Sequence, residues 1–201
     1  MSVSSGSGVD AAAGIGAHTV TIYGVDGNWA AVKETVVLEG QDAVLTDNEY
    51  MIVYRMIVGL SGTSNTNVGA LYVGTGAVAL GVPAVPECIT PAAEGQSEAA
   101  FFPVPAGTKF LLDQAAITGV AAGKEVEAHL RVKPFGGSWN TKIKVRVIAD
   151  TFSRTLTRPI LVPAKSIVEV LAKVDATTAW ASATFGGAIV DASESTLINM
   201  R

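Results

Sequence analysis

The chain has 201 residues, a single cysteine, and 18 acidic against 14 basic side chains, which gives a formal net charge of −4 and a pI near 5.2. That balance lacks the basic stripe of a nucleic-acid binder, and one cysteine excludes an intramolecular disulfide or an all-cysteine metal site. No apolar run approaches the roughly 20 residues that a membrane helix needs, and a chain this long can fold by burying roughly 70% of its unfolded surface without metal or disulfide.

Residues 1–14 are mostly Ser, Gly and Ala with little apolar bulk, so they read as a flexible N-terminal arm, either frayed or ordered on a neighbouring subunit. Residues 1–16 lack the basic stretch and the hydrophobic centre of a secretory signal, so none is expected there. Residues 15–80 form a first β region. Strands are expected at 18–24, 33–38, 50–60 and 68–73, with a short return at 77–80. Turns fall at Val25-Asp26-Gly27-Asn28 and Gly40-Gln41-Asp42, and residues 61–67 make a polar loop tip. Residues 81–97 carry Pro83, Pro86 and Pro91. Proline removes a ladder donor and locks the backbone, so a linker or long crossover is expected there.

Residues 98–192 form a second β-sandwich region, with strands expected at 99–104, 109–118, 124–133, 141–152, 154–162, 167–174 and 180–190. Two similar corners, Val104-Pro105-Ala106-Gly107 and Val162-Pro163-Ala164-Lys165, suggest an echo between opposite ends of a sandwich. Residues 193–201 are a C-terminal tail, of which 193–200 suit one short helical turn. The alternation is cleanest across 125–147, where Val126, Ala128, Leu130 and Val132 take one parity and Glu125, Glu127, His129 and Arg131 the other. After Pro134-Phe135-Gly136-Gly137 the pattern resumes, with Ile143, Val145 and Val147 against Lys142, Lys144 and Arg146. Successive strand side chains face opposite ways, so this is a hairpin with one buried and one wet face. The fold class is all-β, an antiparallel β-sandwich or jelly-roll-like arrangement, either one interleaved sandwich or two consecutive β subdomains.

Little in the chain reads as chemistry, and no catalytic, cofactor or metal residue is expected. His18 and His129 lack the spacing of metal ligands. Glu125 and Glu127 lie on one strand face at a separation suited to a glycosidase pair. They also look across at the Lys142, Lys144 and Arg146 row, and cross-strand ion pairing is the simpler reading. The pairs Gly14-x-Gly16, Gly74-x-Gly76 and Gly136-Gly137 open no helix and read as turn glycines. Trp29, Trp139 and Trp180 have no aromatic cluster around them and suit core or interface anchoring better than sugar stacking. Cys88 reads as a small buried apolar residue. With 49% hydrophobic and only 16% charged residues, the composition predicts burial against other subunits.

One family resemblance adds to this. The segment 20–60, with Val25-Asp26-Gly27-Asn28 and then Glu34-Thr35-Val36-Val37-Leu38-Glu39-Gly40, resembles virion structural proteins of tailed phages, notably marine ones. So does the stretch from Val104-Pro105-Ala106-Gly107 through Arg131-Val132-Lys133-Pro134-Phe135-Gly136-Gly137 to Pro159-Ile160-Leu161-Val162-Pro163. The resemblance implies a non-enzymatic particle component. As a capsid decoration (cement) protein it would be a homo-oligomer, a trimer, on the outer surface of the phage head. Its partners would be copies of itself and the major capsid protein or other virion subunits, with no nucleic acid, membrane or cofactor. The alternative within the virion is a neck, tail or fibre component contacting host glycans through Trp29 and residues 61–67. A third reading, a polysaccharide hydrolase, would use Glu125 and Glu127.

Overall fold

The computed structural model describes residues 1–120, 125–148, 150–174 and 180–192, and the chain divides into two compact units, Met1–Ala99 and Ala100–Arg201. Among the described residues every regular element is a strand. Unit 1 holds β1 (Ser2–Ser5), β2 (Thr19–Val25), β3 (Ala31–Val37), β4 (Val44–Leu45), β5 (Ile52–Val58), β6 (Leu71–Ala79) and β7 (Val82–Thr90). Sheet I runs β4-β1-β6-β7 and sheet II runs β3-β2-β5, all antiparallel. The two sheets share one core in which Val3, Leu71 and Val73 of sheet I meet Val20, Ile22 and Met56 of sheet II.

Three expectations fail in unit 1. Residues 1–14 are not a flexible arm: β1 lies between β4 and β6 with all four residues buried. Ser-Val-Ser-Ser looks soft because only Val3 contributes apolar bulk. Its ladder partners are distant, Val44 and Leu45 on one side and residues 71–74 on the other. The Ser4 hydroxyl donates to the Gly81 carbonyl at 2.9 Å. Residues 81–97 are not a linker either. β7 occupies most of that span, and residues 95–97 hydrogen-bond along β5 through Val58 N to Gly95 O and Ser97 N to Met56 O. Pro83 and Pro86 are tolerated because β7 is an edge strand and its register with β6 shifts beside both of them. The expected break between 73 and 77 is likewise absent, since Gly76, at φ 83°, sits where the register shifts and β6 runs through.

Unit 2 holds β8 (Phe101–Pro103), β9 (Thr108–Val120), β10 (Glu125–Lys133), β11 (Asn140–Ile148), β12 (Thr151–Val162), β13 (Ile167–Val174) and β14 (Trp180–Asp191). Sheet III runs β11-β10-β13-β8 and sheet IV runs β12-β9-β14. Their shared core joins Leu130, Val132 and Val168 to Phe110, Leu112 and Val162. The predicted hairpin is observed: Val126, Ala128, Leu130 and Val132 are buried, and Glu127 pairs with Arg146 and His129 with Lys144. Its turn closes through Gly137 N to Pro134 O at 2.9 Å, with Gly136 at φ 68°. The strand expected over 141–152 instead divides, because β11 belongs to sheet III and β12 to sheet IV.

The two proline corners are not at opposite ends. Val104 N donates to Ser166 O at 2.8 Å and Lys165 N donates to Val104 O at 2.9 Å, while Gly107 and Lys165 both take left-handed backbone. The helical turn expected at 193–200 lies outside the described residues. Each unit is therefore an antiparallel β-sandwich of seven strands among those described, one fewer than a jelly roll has. The two strand orders differ, so neither unit repeats the other.

Candidate functional site

The alternation of β10 and β11 sets the geometry of a highly charged face that carries the ion pairs of Glu125 and Glu127. Because the apolar parity is sunk in the core, every charged residue of both strands is placed on one outer face. Glu127 is the hub. Its carboxylate takes Lys144 Nζ at 3.0 Å, His129 Nε2 at 2.8 Å and Arg146 Nη2 at 2.9 Å, and Arg146 Nε also reaches Glu125 Oε1 at 3.0 Å. The Lys144 ammonium, then His129 and Arg146, pull the Glu127 pKa down from 4.5 to about 2. A general acid needs the opposite shift. Glu125 and Glu127 are thus brought together as predicted, as acceptors of cationic donors.

Toward the hairpin turn the character of the surface changes. Arg131 pairs with Glu169 and stacks on Trp139, 4.2 Å from the ring centroid. Lys133 Nζ approaches the same ring at 5.9 Å, and Lys165 Nζ lies 5.5 Å from the ring of Phe135. Phe135 is 68% exposed and Trp139 is 38% exposed. Cationic groups and aromatic faces therefore share the tip.

Other residues singled out in the sequence have structural placements. Trp29, at φ 66° in the β2–β3 turn, is buried, so it offers no face for stacking a sugar. The side chain of Trp180 lies outside the described residues. His18 Nε2 is hydrogen-bonded with Gly14 O at 2.8 Å, and Cys88 is a free, buried thiol whose pKa is raised first by burial. The loop 61–67 is pinned. Asn67 is buried, donates to Gly69 O and Pro91 O at 2.7 Å each, and accepts from Gly95 N at 2.9 Å.

Sequence reading missed Asp10. It is fully buried, and its carboxylate accepts from Ala17 N, Val68 N and Gly69 N at 2.8 Å each and from the Ser5 hydroxyl at 2.6 Å. Gly16 is required beside it, since a Cβ there would fall 2.0 Å from Asp10 Oδ1. No local signal marks this residue, because its donors lie up to 59 positions away.

Sheet IV carries a shallow cleft of about 290 Å³ lined by Gln114, Ser153, Arg154, Thr155 and Thr184. It forms where β12 loses register with β9 between Thr155 and Ile160, and β14 loses register with β9 between Gly186 and Gly187. Among the described residues that line it, no nucleophile is paired with a base. Among the described residues no cluster of three or more His, Cys, Asp or Glu is arranged to hold a metal ion. No family model, curated protein or solved structure matches the chain.

Proposed function

We propose that this chain is a non-enzymatic virion structural protein, a capsid decoration protein that binds the outer surface of a phage head and the neighbouring copies of itself. The observation that carries the reading is the β6–β7 hairpin. Its two-residue turn puts Leu80 at φ 50° and Gly81 at φ 78°, the primed geometry that favours small residues. Leu80 nevertheless stands there 82% exposed, with Val85 52% and Ile89 47% exposed on the strand that follows. An exposed leucine in left-handed backbone opposes both solvation and conformational preference, and both costs are offset once another surface covers it. The resemblance of residues 20–60 and 104–163 to tailed-phage virion proteins supports the same reading.

The mechanism is mechanical. Many modest contacts, multiplied by the symmetry of the shell, hold its subunits together against the pressure of the packaged genome. Because β1 and Asp10 tie the first residues into unit 1, the clamp acts through rigid sheet edges and hairpin tips, without a tether that folds on binding. The neck, tail or fibre reading shares this self-association; with Trp29 buried, its glycan contact would rest on the exposed Thr63 and Asn65 of the 61–67 loop.

The decisive experiment mixes purified protein with heads lacking it and locates the added density by reconstruction. Density on the outer shell is expected. Density confined to neck or tail moves the protein to the second reading, and no binding to any particle surface overturns both. Burying a leucine is worth about 1.5–3 kcal/mol, so Leu80→Asp should weaken attachment roughly tenfold or more.

A further inference from the structure

The two units carry opposite charge. Unit 1 has ten carboxylates against two bases, a balance of −8, and unit 2 has twelve bases against eight carboxylates, a balance of +4. The acidic surplus is not answered within unit 1. Its two bases turn to neutral groups, Lys33 to the Tyr23 ring and Arg55 to the Gln96 amide oxygen. Every ion pair among the described residues lies in unit 2. Residues 34–54 contain five acids and no base, and Glu39, Asp42, Asp47 and Glu49 are exposed there, beside Leu45 at 77% and Met51 at 40% exposure.

Unit 2 presents the inverse. Residues 132–149 contain four bases and no acid. At the hairpin tip Lys133 and Lys142 are exposed and Lys165 is half-buried, none of them in an ion pair among the described residues, alongside Phe135 and Trp139. A surface that joins lysines to exposed aromatic rings has the composition of an interface anchor, because a ring and an aliphatic stem bury apolar area while the ammonium selects the sign of the partner. The exposed acids of residues 34–54 supply that sign, and Leu45 and Met51 are exposed in the same segment.

We propose that copies of this chain associate head to tail, the cationic–aromatic tip of unit 2 in one copy docking on the acidic 34–54 surface of unit 1 in the next. This rests on the reading of the chain as a self-associating particle component and names the surfaces that associate. A contact between two different surfaces is heterologous, so it closes into a ring when the rotation allows and otherwise extends as a filament. The trimer expected of a decoration protein is one such ring. Charge selects the partner and speeds the encounter, while the rings and the exposed Leu45 supply the buried area.

The test is sedimentation velocity of the full chain at low and high salt, together with a charge swap. At about 0.1 M salt the screening length is roughly 10 Å, so assemblies formed below that concentration should dissociate in 0.5 M salt. The variant Lys133→Glu, Lys142→Glu, Lys165→Glu should be monomeric at low salt, as should Asp42→Lys, Asp47→Lys, Glu49→Lys. Mixed together, the two variants should pair again, each supplying the surface that the other has reversed. The neutral Lys133→Gln, Lys142→Gln, Lys165→Gln variant, checked by circular dichroism to be folded, should fall between wild type and reversal by at least tenfold in association constant. A wild-type chain that stays monomeric at low salt overturns the proposal. So does an oligomer indifferent to salt and to both reversals, which would assign self-association to the apolar hairpin at Leu80. Failure of the charge swap leaves particle attachment to be judged by its own density, so the two readings fail separately.

Discussion

Unit 1 and unit 2 are both β-sandwiches with seven strands among the described residues, yet they hold their best-connected polar side chains in opposite ways. Unit 1 buries them against backbone: Asp10 saturates three amides and a hydroxyl, and Asn67 spans two carbonyls and an amide. Unit 2 instead gathers Lys144, His129 and Arg146 around the carboxylate of Glu127 on the outer face of sheet III. A buried carboxylate is stable only when its lone pairs are filled, so Asp10 fixes the positions of β1, Gly16 and the 67–69 turn together. Exposed ion pairs hold far less, because water and salt compete for each partner. The lesson is that the smaller number of charges in a network can carry the larger share of the order.

The comparison can be broken most directly at Asp10. Asp10→Ala orphans the amides of Ala17, Val68 and Gly69 and should destabilise unit 1 by about 4 kcal/mol, since each lost acceptor costs roughly 1–3 kcal/mol before water relieves some of it. Hydrogen exchange should show those three amides losing protection while β10 and β11 keep theirs. An unchanged exchange pattern would mean that the N-terminal strand is held by its ladder alone.

Leu130 is the corresponding probe of unit 2. It is fully buried between sheets III and IV, and Leu130→Ala should cost about 3 kcal/mol in chemical denaturation. A smaller effect follows from Gly81. It sits at φ 78°, and a Cβ there would lie 1.8 Å from the Ser5 carbonyl oxygen, so Gly81→Ala should cost roughly 2 kcal/mol and loosen β1 in exchange measurements.

The smallest effect is expected from acid. The Glu127 pKa is about 2 in the folded chain against an ordinary 4.5. A carboxylate whose folded pKa is depressed stabilises the fold above its unfolded value, and that contribution disappears as the pH falls from 4.5 to 2. Amides of β10 and β11 should therefore exchange faster at pH 3 than at pH 5, after correction for intrinsic rates, and Arg146→Gln should reduce the difference. No comparable change in β10–β11 exchange is expected from Asp10→Ala, and finding one would show that the units do not respond separately.

Much of unit 2 was legible before any coordinates. A strict two-residue period with ionic partners on facing strands leaves only one parity that can be buried, so the hairpin, its turn and cross-strand ion pairing of Glu125 and Glu127 with the Lys142, Lys144 and Arg146 row followed from spacing, while the choice of Glu127 as the hub did not. Unit 1 was less legible, for two reasons. Ser2–Ser5 has too little apolar bulk to be recognised as a central strand, and the prolines of β7 look like breakers until the strand is known to lie at an edge.

The sequence alone determined the strand periodicity, the antiparallel all-β class and the face that each charged side chain of β10 and β11 would occupy, because side-chain parity is a local property of extended backbone. Only the tertiary structure decided that Ser2–Ser5 enter a sheet, that Asp10 finds its donors at residues 5, 17, 68 and 69, and that two proline corners meet at Val104. Those outcomes depend on pairings between distant segments, and backbone hydrogen bonds carry no residue code by which the partner could be read.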